Sequence, residues 1–577
     1  MNKNIKHKIL VGAMLFGSML AASSCEDNEG IRVTPETPFA DKTLYEVIVN
    51  DPDLSDFVDI LNACGAECAD SLFNHSRVYT VWAPKNPILN KDSIIAEATA
   101  DSTGNSNRDV VFRSFVETHI ANHLVPANGT LDKDNVVLLL NNKNAVFTGD
   151  YRTGYTFSGV ELDPNNTNIR AWNGILHKIA SPSEYKYSIW EYMKVAENVD
   201  SVAKFLYSYN VTEFNEGQSI SGPIVNGEQT FLDSVFTTSN VWLDAWRGVG
   251  NINSEDSTYI VYVPTNELWE TMVKKAEAHY NYDFSFANMT EATKIERDSL
   301  RRYYARLHNL KYMSYSVNEQ KHVQSSDSAM PAYRGGKRAL FAKADLEKNV
   351  IFEKDLSNGT FKVVDAMPYK QTDLWHDTIF LEGENQSMWN YDEVPNEVEV
   401  LTAYKSQLNK DSMLVGSEVS GGAYFSYTRE TAANTAKFKI PKVLSAKYNV
   451  AIVFVPKNIT NEFVDKEKMY QTKMTISVKQ APGKGSAIKL YEATRTKALY
   501  TNQFKVDTLF LTTNGKKAVI EPKYCEYYDG SAAKDYNVTL EITSIMATNA
   551  EKNKGIYYDP AIRIDKILFI PVLDSEE

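Results

Sequence analysis

Tyr79-Thr-Val-Trp-Ala-Pro84-Lys-Asn86 and Tyr259-Ile-Val-Tyr-Val-Pro264-Thr-Asn266 share one pattern. Each is a run of strand-favouring residues closed by a proline, which cannot donate to a ladder, and then by an asparagine suited to opening a helix. In the first copy Asn86-Pro87 reads as a cap followed by a first-turn proline. Upstream, Thr43 to Leu61 places Leu44, Val47, Ile48, Leu54, Phe57, Val58 and Leu61 at helical spacing and predicts one helix. Downstream come an amphipathic segment, Val110 to Leu124, ending in His123-Leu-Val-Pro126, and then Trp172-Asn173-Gly174-Ile-Leu-His-Lys-Ile179, a turn dipeptide that launches an alternating strand. The second copy repeats the order: Pro264 follows Pro84 by 180 residues, His308 follows His123 by 185, and Asn358-Gly359-Thr-Phe-Lys-Val-Val-Asp365 follows Asn173 by 185. Near-constant offsets predict two tandem domains, 40–183 and 184–368. The second leading helix, near Ile189 to Leu206, stands further from its strand, so an insertion is expected at about 208–256, where loops often carry binding specificity.

The order and wording resemble the fasciclin domain. Its first signature reads like Thr80 to Asn86, its His-bearing strand like His123 to Ala127, and its second signature like Asn173 to Ile179. The resemblance implies compact α+β modules that mediate adhesion and protein contacts without catalysis or a cofactor. In some animal members a Tyr-His pair contributes to receptor adhesion. Here Asn122 precedes His123 and Leu307 precedes His308, so that role is not carried over and both histidines read as hydrogen-bonded structural residues beside a strand.

After Met367-Pro368 the chain becomes strand-rich. Thr378 to Leu381, Ala423 to Tyr427, Lys437 to Ile440, Tyr448 to Val455, Met474 to Val478, Lys505 to Leu511, Lys517 to Ile520, Tyr536 to Met546 and Ile562 to Val572 all read as strands, several with a period near two. The expected fold class is therefore multidomain: two α+β fasciclin-like domains followed by an all-β jelly-roll β-sandwich, 369–577. Ile562-Arg-Ile-Asp-Lys-Ile-Leu-Phe569 and Val419-Ser-Gly-Gly-Ala-Tyr-Phe425 resemble the galactose-binding-like sandwiches of carbohydrate-binding modules.

The N-terminus supplies an address. Lys3, Lys6 and Lys8 precede an uncharged apolar run from Ile9 to Ala22, then Ser23, Ser24 and Cys25, which reads as a signal peptide over 1–24, too short for a membrane span. The site resembles bacterial lipoprotein processing, with Cys25 lipidated. Glu26-Asp-Asn-Glu29 resembles the signal that sends lipoproteins of Bacteroidota-type bacteria to the outer face of the outer membrane, and 25–39 reads as a tether. The tripeptide Asp-[Ser/Thr]-[Ala/Ile/Leu/Met/Thr/Val] resembles the O-glycosylation acceptor of the same bacteria. It places candidate acceptors at Ser71, Ser93, Ser102, Ser201, Ser234, Ser257, Ser299, Ser328, Thr378, Ser412 and Thr508; the alternative reading is helix caps and turns.

The 577 residues carry 61 Lys+Arg against 74 Asp+Glu, a net charge of −13. No basic cluster is interleaved with aromatics, so no nucleic-acid partner is expected. Cys64 and Cys68 could close a small disulfide loop, and a zinc site is not expected, because only His75 is near. No Gly-x-Ser-x-Gly, His-Glu-x-x-His, phosphate-loop or dinucleotide motif is present. His119 and His123 stand four apart but read as a capped helix end, and Glu382 and Glu384 alternate onto one strand face without implying catalysis. No enzyme activity and no cofactor are expected. The expectation is a surface interaction subunit docked on an outer-membrane complex of SusC/SusD type, with Trp242 and Trp246, four apart on a helix face, as the contact. The alternative is capture of polysaccharide by the sandwich through Trp375, Trp389, Tyr391, Tyr404, Tyr424, Tyr427, Tyr527 and Tyr528.

Overall fold

The computed structural model describes residues 41–573 apart from 66–76, 100–106, 134, 218, 226, 234–235, 283–289, 324, 336–338, 404–418, 430, 457–470, 482–485, 496–498, 501–505 and 526–537. Two compact units divide the chain, one ending at Ser188 and one starting at Ile189.

In the first unit Tyr79–Pro84 and Gly174–Ile179 lie side by side in parallel, Tyr79 opposite Gly174 and Pro84 opposite Ile179, and every residue of both is buried. Ile120–Ala121 and Ile169–Ala171 flank them to complete four strands. The expected helix Thr43 to Leu61 is broken into Leu44–Val49 and Ser55–Ala63, with a single 3-10 turn at Pro52–Leu54 between them. Pro52 has no N–H to continue the first helix, and the Asp51 carboxylate caps the new start. Leu44, Ile48, Leu54, Phe57, Ile60 and Leu61 still reach one core together with Val81 and Leu176. A second small sheet, from Val136–Leu138 to Val160–Glu161, closes a separate cluster around Trp82, whose ring stacks on Phe157 at 4.3 Å.

The second unit begins with the same arrangement. Tyr259–Pro264 and Gly359–Val364 pair in parallel, Tyr259 opposite Gly359 and Pro264 opposite Val364, between Ser314–Ser316 and Val350–Leu356. Two asparagines explain why the words recur. Asn173 Oδ1 accepts the Leu44 N–H at 2.8 Å, and Asn358 Oδ1 accepts the Ile189 N–H at 2.8 Å, so each ties the opening of its domain to the central strand. The adjoining glycines are required by close approach: a Cβ on Gly174 would lie 2.1 Å from the Tyr79 carbonyl oxygen, and one on Gly359 1.8 Å from that of Tyr259. Asn86 and Asn266 do not cap the chain that follows them, as the reading of Asn86-Pro87 expected. They cap across the fold, Asn86 Oδ1 accepting the Asp56 N–H and Asn266 Oδ1 the Ser201 N–H, both at 2.9 Å.

The histidine landmark, His123 and His308, is a coincidence of spacing. Val81 pairs with Ile120 and Val261 with Ser314, so Ser314 is the counterpart of Ile120 and His308 is not that of His123. His308 ends the nineteen-residue helix Glu291–Asn309, where the first domain has only short helical pieces between Arg108 and His119.

C-terminal to the repeat, two antiparallel sheets share one core. The seven-stranded sheet is built on Ile562–Pro571, which pairs with Ile379–Glu382, Ala423–Tyr427 and Tyr448–Phe454. The four-stranded sheet runs Thr435–Ile440, Val538–Ser544, Met474–Gln480, Ile488–Arg495. Phe425 of the first meets Phe438 of the second at 5.0 Å, edge to face. Val538–Ser544 shows the alternation of a half-buried strand.

This core is continuous with that of the preceding α+β domain. The Tyr280 hydroxyl bonds His308 Nδ1, His279 stacks on Trp375 at 4.7 Å and its Nδ1 meets the Ser445 carbonyl at 2.9 Å. Asn281 Nδ2 donates to the Lys523 carbonyl, the Cys525 N–H donates to that of Asn281, and the Lys311 ammonium meets Asp377 at 3.0 Å.

Candidate functional site

The repeat locates the insertion. Leu44 and Asp56 correspond to Ile189 and Ser201, 145 residues on, whereas Tyr79 corresponds to Tyr259, 180 residues on. The surplus between Ser201 and Tyr259 contains a long two-stranded ribbon. Asn210–Phe214 pairs antiparallel with Phe236–Asn240 at its base, and Ile220–Val225 with Glu228–Asp233 at its tip, where Gly227 has φ 86°. The returning limb is made of Glu228–Asp233 and Phe236–Asn240, about 20 Å and about 17 Å of strand.

No described side chain of this arm is buried. Ile224 is 69% exposed and Phe236 62%, with Val211, Val225 and Phe214 also exposed. Phe214 packs edge to face on Phe231 at 4.7 Å and on Phe236 at 5.7 Å, a small aromatic cluster outside either core. Polar bonds across the strands hold it: Thr212 Oγ1 to Thr238 Oγ1 at 2.8 Å, and Asn215 Nδ2 to Thr237 Oγ1 at 3.0 Å. At the base, Asn240 Nδ2 donates to the Leu206 carbonyl at the end of the helix Asp200–Tyr207.

Trp242 and Trp246 follow the arm, and the expectation of a shared helix face is overturned. The segment is a series of turns, with Asp244 Oδ1 accepting the N–H groups of Trp246 and Arg247. Trp242 is 1% exposed against Tyr209 and Tyr303, whereas Trp246 is 64% exposed. Turn geometry sends the two rings in different directions, so they form no common contact.

The expected glycan platform is corrected too. Trp375, Trp389, Tyr424 and Tyr427 are buried, the first two and Tyr427 in the large core and Tyr424 in a smaller cluster with Val419 and Val455. Trp389 packs on Phe425 at 5.3 Å and donates its indole N–H to the Gly383 carbonyl. Tyr391 is half-buried, its hydroxyl donating to the Thr435 carbonyl. Tyr404, Tyr527 and Tyr528 lie outside the described residues.

Cys64 is buried in the first core; Cys25 and Cys68 lie outside the described residues. Among the candidate acceptors Ser93, Ser299 and Thr508 are exposed, Ser201, Ser257, Ser328 and Thr378 half-buried, and Ser71, Ser102, Ser234 and Ser412 outside the described residues. His119 is fully buried, its Nδ1 bonded to the Phe115 carbonyl and its Nε2 accepting the Ser183 N–H; His123 is exposed beyond the helix, so they are no ligand pair. Burial pushes the His119 imidazole down to about 4.

One acid pocket adds Asp565 and Ser420 to the pair Glu382 and Glu384. Ser420, after the loop that precedes Ala423–Tyr427, donates its hydroxyl to Glu382 at 2.9 Å and its N–H to Asp565 at 2.8 Å, while Gly421 sits against Glu384. Glu382 Oε2 and Glu384 Oε2 are buried without a hydrogen-bond partner among the described residues, and Asp565 Oδ2 faces the Lys566 ammonium at 3.5 Å. Burial pushes Asp565 and Glu384 above the ordinary carboxylate range, with the charge of Glu382 adding to both. These oxygens are of the type that hard cations take, although no group of three or more His, Cys, Asp or Glu among the described residues is gathered as a metal shell. The signal was Glu382-Gly-Glu384 together with Asp565, the one acid of the strand Ile562–Pro571.

No known family profile matches the chain, and no curated protein matches it. Solved structures do. A FAS1 domain pair from the insect cell adhesion molecule Fasciclin I is 13% identical, over 57% of this chain and 97% of that one, with a TM-score of 0.17. A putative glycoside hydrolase from Bacteroides thetaiotaomicron is 12% identical over 43% of this chain and 87% of that one, at 0.18. The CBM22-1–GH10 modules of a Clostridium thermocellum xylanase are 11% identical over 36% of this chain and 29% of that one, at 0.19. At these scores the internal repeat, with its paired asparagines and sheet order, carries the fold argument.

Proposed function

We propose that this chain is a non-catalytic interaction protein, made of two fasciclin-like domains and a jelly-roll-type sandwich, that docks on a surface complex through the arm Asn210–Asn240. The observation that carries the reading is the arm itself. A two-stranded ribbon exposed on both faces is marginal in water on its own, and this one also exposes Phe, Ile and Val that no part of the described fold covers. In this reading Cys25 is lipidated, 25–39 is the tether, and the partner is an outer-membrane assembly of SusC/SusD type. Capture of polysaccharide is the weaker reading, because four of its proposed rings are interior.

The test is recovery of the natively expressed, C-terminally tagged chain from mild-detergent outer membranes, intact or with residues 211–239 replaced by a short Gly-Ser turn. A stoichiometric partner with the intact chain, lost from the shortened one, supports docking through the arm. Equal recovery of the partner without the arm refutes it.

A further inference from the structure

We infer that the arm's partner is a protein face with an apolar centre rimmed by Lys and Arg side chains. This rests on the docking reading and adds the chemistry of the partner.

The argument is one of composition placed by geometry. After Lys204 no Lys, Arg or His occurs until Arg247, whereas Glu213, Glu216, Glu228 and Asp233 fall within the arm. The acids alternate with the exposed apolar residues along the ribbon. Successive strand residues face opposite ways, so Glu213 shares a face with Val211 and lies behind Phe214, Glu216 closely follows the strand, and Glu228 stands directly across from Val225 at the tip. Glu213, Glu216 and Glu228 are all exposed. The arm is exposed on both faces, and a partner that wraps it, covering Val211, Phe214, Phe236, Ile224 and Val225, brings its rim against carboxylates at both heights of the arm.

That arrangement excludes a second copy as the occupant, because two arms would set carboxylates against carboxylates, and like charges across an interface cost several kcal/mol. It disfavours a bilayer of anionic headgroups and a nucleic acid for the same reason. A basic rim satisfies it twice, by pairing with the carboxylates and by placing cations over the exposed Phe faces.

The test places p-benzoylphenylalanine at Phe236 of the full-length lipidated chain, with the exposed Phe380 of the C-terminal sheet as control position, and irradiates native outer membranes. The expected result is one protein adduct from position 236 whose cross-linked peptide lies in a patch with Lys and Arg in excess. Its yield falls about tenfold in 0.5 M NaCl and about tenfold when Glu213→Lys, Glu216→Lys and Glu228→Lys are combined. Melting of the variant stays unchanged, because the arm belongs to neither core. A protein adduct with no basic excess, or a yield indifferent to salt and charge reversal, overturns the partner chemistry and leaves docking standing. An adduct with a second copy, lipid or nucleic acid, or none at position 236, overturns both.

Discussion

Replacing Asn358 by Ala should lower the melting temperature of the second unit by several degrees and leave the first unit where it was. Asn358 is 2% exposed; its Oδ1 accepts the Ile189 N–H at 2.8 Å and its Nδ2 donates to the carbonyls of Ile252 and Ser254, both at 2.9 Å. Truncation removes three hydrogen bonds and strands three main-chain groups, two of them joining the strand to the turn that follows the arm. At about 1 kcal/mol net per bond, and more where a buried group stays dry, the loss is about 3–5 kcal/mol. Temperature shifts shrink as domains grow, so for a unit running from Ile189 to Glu577 this amounts to about 4–6 °C. The assay is scanning calorimetry of the whole chain. Because Tyr280, Trp375, Tyr448 and Phe361 belong to one core, the second α+β domain and the C-terminal sheets should move together as one transition. A transition of the C-terminal sheets that stays put while the preceding domain shifts would refute the shared core. A shift of the first unit as large as that of the second would refute the division at Ser188.

Three further outcomes are expected. Gly359→Ala should prevent assembly of the second unit, since its Cβ falls 1.8 Å from the Tyr259 carbonyl oxygen at a φ of +141°; a soluble variant with an unchanged melting profile would contradict the close approach. In the first unit, burial holds His119 and His177 neutral, each down to about 4, so their contribution is present above the unfolded value near 6.5 and is lost as the pH falls from there toward 4, at about 1.4 kcal/mol per pH unit for each. A pH series of calorimetric scans on the wild type and His177→Gln should show the slope reduced in the variant, and equal slopes would count against it. In the acid pocket the sign is opposite: Asp565 and Glu384 are raised by burial, so their contribution is full below the ordinary carboxylate range and lost as the pH rises through the raised values. Glu384→Gln should therefore raise the second unit's melting temperature at pH 7, and a drop on substitution would refute the cost of burying this carboxylate.

What could be read in advance were features whose causes are local or repeated. Proline closing a strand, Asn-Gly opening one and alternating apolar residues each express a backbone requirement confined to a few neighbours, and a requirement met twice at matching offsets marks two copies of one arrangement. Helical spacing from Thr43 to Leu61 runs through a break that a single residue imposes. Pro52 breaks the first helix as any interior proline does, and the insertion was legible as a longer gap before Tyr259.

Periodicity and chain spacing act along the chain, and from them alone follow the repeated strands, the strand-rich C-terminal part and the place of the insertion. Packing in three dimensions sets which aromatic rings face inward, that His308 is no counterpart of His123, that Trp242 and Trp246 part company, and that Glu382, Glu384 and Asp565 meet around Ser420. Burial and pairing between residues more than a hundred positions apart depend on how sheets stack and strands register. Spacing along the chain carries no trace of that until the chain has folded.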